Sequence, residues 1–362
     1  MANNADDLVE QAAFEAMQVA AAKIELPAIF GVSLDKMIRR INNEPKLELM
    51  YSGIKSKSIG IVFGPSKSGK TMYCENLGMS IAAGLDAYLG KPIRTENHKV
   101  MFISFEEHYA NRTERNEKQA AKLILQRGEN WMDQFIVVNE KMPRYITTKE
   151  EWQLLSEQIA AINPAVVFLD SLTHMYQGAI EDSRIAIELM KNLRDLSEKT
   201  NTTVVAIHHT HKMYGQPLSI DTVAGSRVLA QETDFMIGLN RTPDGKKYIK
   251  DVAFRYIASN DDTVCTYEIG DDCWLISTGE AEESEILTAN DGRRDDGSKN
   301  LILEFLQQEN AAGRDIVDMV VLQNRFVATG EMSRTTVFNN IGKLLRENAV
   351  ERFGKGAYKL AA

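Results

Sequence analysis

Cysteine is scarce in this chain. Cys74, Cys265 and Cys273 are the only three in 362 residues. Their spacing builds neither a disulfide framework nor a zinc site, which fits a reducing, cytoplasmic setting. No apolar run approaches the length needed to span a bilayer, so no membrane association is expected. The first residues, Met1 to Asp7, are acidic and hold no apolar signal core. Net positive charge is lacking as well. The formal net charge is −9, so any nucleic-acid contact must come from a local basic surface and not from the bulk charge. The length leaves room for a large core and one or two appended domains.

One stretch organises the rest: Ile59-Gly-Ile-Val-Phe-Gly-Pro-Ser-Lys-Ser-Gly-Lys-Thr-Met72. Gly64 and Gly69-Lys70-Thr71 have the spacing of a phosphate-binding loop. The glycines let the backbone turn tightly and bring N–H groups up to phosphate oxygens. Lys70 places a compact positive charge on the β- and γ-phosphates, and the Thr71 hydroxyl suits Mg²⁺. Pro65, Ser66, Lys67, Ser68 and Met72 complete the nucleotide-contacting segment. The context agrees. Ser58–Phe63 is a β-branched apolar run, 72–83 has helical spacing, and Gly84 stops it. A nucleoside triphosphate, ATP with Mg²⁺, is the expected ligand.

Residues 1–57 read as an N-terminal helical arm and connector. Within it, 5–23 has an apolar side carrying Leu8, Val9, Ala12, Ala16 and Val19. It is either packed on its own core or an arm that docks on a neighbouring subunit. Residues 33–57 hold a helix and a connector. From 58 to 278 strands and helices alternate, which predicts an α/β core with a mostly parallel central sheet. Strands are expected at 99–105, 135–138, 165–169 and 202–207, with helices over 107–127, 149–162 and 180–199. From 234 to 276 strands dominate, as antiparallel additions at the sheet edge. Residues 279–298 are acidic and poor in aromatics, a linker signature. A small domain fills 299–362.

Asp170 ends the strand 165–169, where a carboxylate can organise Mg²⁺. Glu106 ends the strand 101–105 and is placed to polarise the water that attacks the γ-phosphate. Glu107 is adjacent and is an alternative. His208, His209 and His211 follow the strand 202–207. Adjacent side chains on a strand face opposite ways, which argues against zinc. A polar residue there instead suits contact with the γ-phosphate, reported into the turn-rich segment 213–227.

Taken together these residues resemble the RecA-like ATPases, most closely the RepA-type branch of hexameric helicases with its DnaB and KaiC relatives. The resemblance covers about 58–260. Phe102-Ile-Ser-Phe-Glu106 looks like the family's second-strand motif, whose Glu is the catalytic base. Val167-Phe-Leu-Asp-Ser171 looks like its metal-binding strand. Ile207-His-His-Thr-His-Lys212 looks like its His-His-Thr-x-Lys segment, with His209 at the γ-phosphate sensor position. Ala224-Gly-Ser-Arg-Val-Leu229 followed by Asp234 is similar to the pattern that comes next. The resemblance implies catalytic roles for Lys70, Glu106, Asp170 and His209, with Mg²⁺ on Thr71 and Asp170. It implies a homo-oligomeric, hexameric ring in which an arginine reaches the neighbour's ATP. Arg255 matches that position, although Ala253 stands where the family has Lys, and Arg241 is the alternative. The central-channel loops would map to about 172–183 and 212–226, which carry Lys212 but also Glu181, Asp182 and Asp221.

Residues 299–362 read as three helices and a hairpin, an order that resembles a winged helix-turn-helix. Ser333 caps the third helix. That helix would present Arg334, Thr335, Thr336, Asn339, Asn340 and Lys343 to DNA, and the wing would present Lys355. The segment is slightly basic, nine Lys and Arg against seven Asp and Glu, which supports DNA as the partner. The leading expectation is an ATP-hydrolysing, DNA-binding motor, a replicative-type helicase of a plasmid, phage or mobile element. The alternatives are an ATP-switched regulator or adaptor without unwinding activity, and a metabolic kinase.

Overall fold

The computed structural model describes residues 31–210, 213, 215–225, 227–242, 244–258, 262–288, 297–354 and 356–361. The helix expected at 5–23, His211, Lys212 and Lys355 lie outside them. The chain divides into two units, up to Leu47 and from Glu48 onward.

In the first unit, helix α1 spans Leu34–Asn42, capped by the Ser33 hydroxyl, which accepts from the Lys36 N–H. Leu34, Met37, Ile38 and Ile41 recur at helical spacing, and all four are exposed.

The second unit is built on a nine-stranded sheet. A short hairpin, β1 (Leu49–Tyr51) and β2 (Ile54–Lys55), precedes it where only a connector was expected. Strand β3 (Ile59–Gly64) leads into helix α2 (Lys70–Ala82). A second small hairpin, β4 (Ala87–Tyr88) with β5 (Lys91–Pro92), follows. Next come β6 (Val100–Ser104), α3 (Tyr109–Arg127), β7 (Phe135–Val137), α4 (Lys149–Ile162), β8 (Val166–Asp170), α5 (Ser183–Thr200) and β9 (Thr203–His209). A short α6 (Arg227–Glu232) leads to β10 (Phe235–Arg241), β11 (Lys247–Phe254), β12 (Thr263–Ile269) and β13 (Leu275–Glu282). The strand order is β13-β12-β11-β10-β3-β9-β8-β6-β7.

Helices cover both faces, so the central strands are apolar throughout and each strand feeds two cores. Ile61 and Phe63 of β3 and Val167 of β8 pack with Trp152, Leu155 and Leu189 from α4 and α5. Val62, Phe102 and Phe168, one residue out of step, pack with Tyr73 and Leu77 of α2. This is the RecA-like, mostly parallel P-loop core that the residue pattern predicts.

Two expectations need correction. The strands after 234 are not all antiparallel additions: β10 pairs parallel with β3, and only β11, β12 and β13 run antiparallel. The linker does not begin at 279. Strand β13 runs to Glu282, and α7 (Glu283–Thr288) follows. The acidic run misleads because Glu283 is buried. Its carboxylate accepts from Lys250 Nζ (2.5 Å), the Tyr248 hydroxyl (2.8 Å) and the Leu218 N–H (2.7 Å). A carboxylate held this way is part of the core, whatever its neighbours suggest.

The C-terminal segment has its own core of Ile302, Leu306, Leu322, Phe326, Val337 and Ile341, among others. Its elements are α8 (Ser298–Ala311), β14 (Val317–Asp318), α9 (Met319–Phe326), α10 (Arg334–Arg346), β15 (Val350–Arg352) and β16 (Ala357–Leu360). The three strands form an antiparallel sheet in the order β14-β16-β15.

Candidate nucleotide site

The parallel register gathers the expected residues on one sheet edge. Gly64 lies opposite His209, and Asp170 lies opposite Ser104 on one side and Ile207 on the other. The carboxyl ends of β3, β9, β8 and β6 therefore meet, with the phosphate loop between β3 and α2.

Two glycines shape the loop. A Cβ on Gly64 would stand 2.0 Å from the Leu239 carbonyl oxygen of β10. Gly69 has φ +93° at the start of α2, in the left-handed region that disfavours other residues. The Tyr267 hydroxyl of β12 donates to the Ser68 carbonyl from below. That support was not legible in the motif, since Tyr267 is distant in sequence.

Lys70 is only 6% exposed. Its ammonium donates to the Gly64 and Pro65 carbonyls, both at 2.9 Å. Burial pulls its pKa down, while Asp170 and Glu106 act in the opposite sense. The Thr71 hydroxyl donates to Asp170 Oδ2 at 2.8 Å. Burial pushes the Asp170 carboxyl up to about 6, against the hydrogen bond from Thr71. The two hard oxygens, one already ordered by the other, are a donor set of the kind Mg²⁺ takes.

The two glutamates have different partners. Glu107 is held by Arg115 (2.6 and 2.9 Å), which also binds the buried Glu75. Glu106 accepts from the Ser171 hydroxyl, and His209 Nε2 stands 3.6 Å from the same oxygen. His209, with Ser171 and against a partial burial cost, holds the Glu106 carboxyl down at about 2. Ser171 directly follows Asp170, so one strand end carries the carboxylate bound to Thr71 and also positions Glu106.

The two histidines diverge. His208 is buried, and its Nε2 lies 2.8 Å from the Ala224 carbonyl. Burial pushes it down to about 4, so it is neutral near pH 7. The His209 carbonyl accepts from the Ala224 N–H at 3.1 Å, and Thr210 bridges to Val223. The end of β9 is thus tied to the loop beyond residue 218.

Arg255 is not brought to the loop of its own chain. It pairs with Asp234 at 3.1 Å, alongside Arg194 at 2.8 Å. Asp234 also accepts from the Ile59 N–H, at the amino end of β3. The phosphate loop leaves the other end of that strand, about 17 Å away. Arg241 is different. In β10, Gly238 aligns with Phe63, so Arg241 is exposed at the phosphate edge.

On α10, Arg334, Thr335 and Asn339 are exposed, and Thr336 and Lys343 are partly so. Asn340 is not available to DNA. It is 6% exposed, and its amide donates to Ser298 Oγ at 2.6 Å. Helical spacing turns it inward beside Val337 and Ile341. Phe338, which the polar-residue reading passed over, is 52% exposed on the outer face.

A phosphate loop, a hydroxyl–carboxylate pair for a divalent cation, and a held glutamate on the next strand define a nucleotide-dependent ATPase module of the RecA-like class. A family model described as an AAA domain matches residues 32–214. That is half of the chain, which belongs to this family. No curated protein matches it.

Proposed function

We propose that this chain is an ATP-hydrolysing, oligomeric DNA-binding motor, of the kind used as a RepA-like replicative helicase. The observation that carries the reading is the shared edge: Lys70, the Thr71–Asp170 pair and the Glu106–Ser171–His209 cluster, wired at β9 to the loop at 219–225. In this mechanism the loop N–H groups and Lys70 hold the β- and γ-phosphates. Mg²⁺, held by Thr71 and Asp170, would balance developing negative charge. Glu106, ionised throughout the physiological range, accepts a hydrogen bond from the attacking water and aims it at the γ-phosphorus. His209, beside that carboxylate, senses whether the γ-phosphate is present and passes the change to Ala224.

Assembly is supported by α1. Its apolar stripe is exposed, and a neighbouring subunit in a hexameric ring is the surface that would bury it. Arg241 is the arginine best situated at the phosphate edge to reach a neighbour's ATP. DNA contact falls to the C-terminal segment, whose helices and three-stranded sheet fit a winged helix-turn-helix. Arg334, Thr335 and Asn339 on α10 would enter a groove.

A second reading, an ATP-switched DNA-binding regulator or adaptor, is favoured by the loops that would line a channel. Glu181 and Asp182 carry acid there, and Asp221 faces Arg227 at 3.7 Å. A forked duplex incubated with protein, ATP and Mg²⁺ separates the two readings. ATP-dependent strand displacement is the expected result. DNA binding and ATP turnover without displacement, by a protein shown to be assembled, would refute the motor.

A further inference from the structure

A cavity of about 210 Å³ lies beside the carboxyl ends of β6 and β7, lined by Phe105, His108, Tyr109, Arg112, Asn139 and Arg144. It is separate from the phosphate loop, because β9 and β8 stand between β3 and β6, about 14 Å of sheet.

Arg112 is the anomaly. It is 1% exposed, and one guanidinium nitrogen donates to the Val138 carbonyl while Nε has no hydrogen-bond partner. Among the described residues no carboxylate lies within ion-pairing distance of it. Glu107 also lines the cavity, but its oxygens are bound to Arg115. Glu140 is exposed. A guanidinium carries five donors and cannot shed its charge to escape burial. Glu75 and Glu107 act on it only at longer range and are themselves bound to Arg115, so the cost of its burial is offset in part and an anion in the cavity would complete the site. Two further features suit one. The amino end of the nineteen-residue α3 opens on the cavity, capped by His108. Arg144, which is exposed, also lines the cavity.

We propose that this cavity is an oxyanion site that takes a phosphate group between Arg112 and Arg144. The phosphate is either free in solution or part of a single DNA strand. Phe105 and Glu107 line the cavity and flank Glu106 in sequence, so occupancy acts on the backbone that carries the catalytic carboxylate. The site regulates hydrolysis and does not take part in it.

The test is calorimetric titration of protein saturated with a non-hydrolysable ATP analogue, so that the phosphate loop is filled. Inorganic phosphate and a short oligothymidylate are the two probes. Arg144→Gln is the main variant, because its side chain is exposed and the fold does not depend on it. Lys149→Gln, outside the cavity, controls for the loss of one charge. At least one probe is expected to bind the wild type and the control, and to bind Arg144→Gln at least about tenfold more weakly, the loss of one charge-assisted contact. A loss confined to phosphate identifies a free anion, and a loss confined to the oligonucleotide identifies a strand. Arg112→Met should lose the same binding, since it removes the buried guanidinium that lines the cavity. Should it fail to fold, Arg144→Gln decides alone. Absence of binding by either probe, or equal binding by wild type and Arg144→Gln, overturns the proposal. Failure of the analogue itself to bind would refute the nucleotide reading instead, and phosphate titration of Lys70→Ala protein would then decide this one.

Discussion

Adjacent glutamates at the end of β6 make opposite predictions. Glu106→Gln removes the carboxylate that Ser171 and His209 hold at the phosphate edge, and leaves a side chain of the same shape. A positioned base contributes typically about 10²–10⁴-fold to rate. Glu106→Gln should therefore lower kcat for ATP hydrolysis within that range, with ATP binding nearly unchanged and Tm falling only modestly, because His209 and Ser171 stabilise the ionised form of a half-exposed carboxylate. Glu107→Gln should do the reverse. Its carboxylate shares Arg115 with the buried Glu75, and an amide cannot replace a bidentate charged partner. The pair is partly exposed, so the stability cost is that of a charge-assisted network, about 1–3 kcal/mol. A drop of that size should lower Tm by several degrees, at about 2–4 °C per kcal/mol for a domain of this size. Turnover per folded molecule should stay within a few-fold of wild type. Steady-state hydrolysis, equilibrium ATP binding and a thermal melt on both variants give the comparison. If Glu107→Gln abolishes hydrolysis while Glu106→Gln spares it, the assignment of the base is wrong, and with it the role given to His209.

The remaining predictions concern the metal pair, the arginines and the C-terminal helix. Burial raises the Asp170 carboxyl to about 6, above its unfolded value near 3.8. The folded state therefore favours the protonated acid. That contribution is complete below the unfolded pKa and is lost as pH rises through about 6. The difference is worth about 3 kcal/mol, so without Mg²⁺ Asp170→Asn should melt several degrees higher than wild type at pH 8, yet not hydrolyse ATP. An Asp170→Asn melt equal to or below wild type would contradict the burial argument. Removing Arg255 should leave Asp234 its bonds to Arg194 and Ile59, so Arg255→Ala should cost about 1 kcal/mol or less in urea unfolding and little turnover. Arg241→Ala should lose the protein-concentration dependence of hydrolysis, measured by ATPase titration across the assembly range. Asn340→Ala should lower Tm by the loss of its buried bond to Ser298, with DNA affinity falling only as far as folding does, whereas Arg334→Ala should weaken DNA binding about equally across sequences. Filter binding alongside thermal melts separates these two effects.

What was legible in the sequence was whatever depends on local order. The phosphate loop, Asp170 and Glu106 each sit at the carboxyl end of an apolar run, and parallel strands bring such ends to one edge by geometry alone. What was not legible depends on pairs far apart in the chain. Glu283 reads as one more acid in a polar run until Lys250 and Tyr248, on a strand more than thirty residues earlier, close around it. Asn340 has the chemistry of a base-reading residue, and only its helical phase beside Val337 and Ile341 turns it inward. Arg255 matches a family position in sequence, yet β10 runs parallel to β3, and this places Arg255 at the edge away from the loop. The sense of one strand pairing was enough to put Arg255 and Arg241 at opposite edges of the sheet.

The same wiring explains why Glu106 and Glu107 can stand side by side without interfering. Ser171 and His209 bind Glu106 from β8 and β9, strands that end at the nucleotide. Arg115 binds Glu107 from α3, the helix on which Arg112 lies buried with its Nε unbonded. One peptide unit thus separates the glutamate proposed to act at the γ-phosphate from a glutamate anchored to α3. Charge-neutral substitution of Arg115 should therefore behave as Glu107→Gln does, lowering Tm while turnover per folded molecule stays within a few-fold of wild type, which a thermal melt beside steady-state hydrolysis checks.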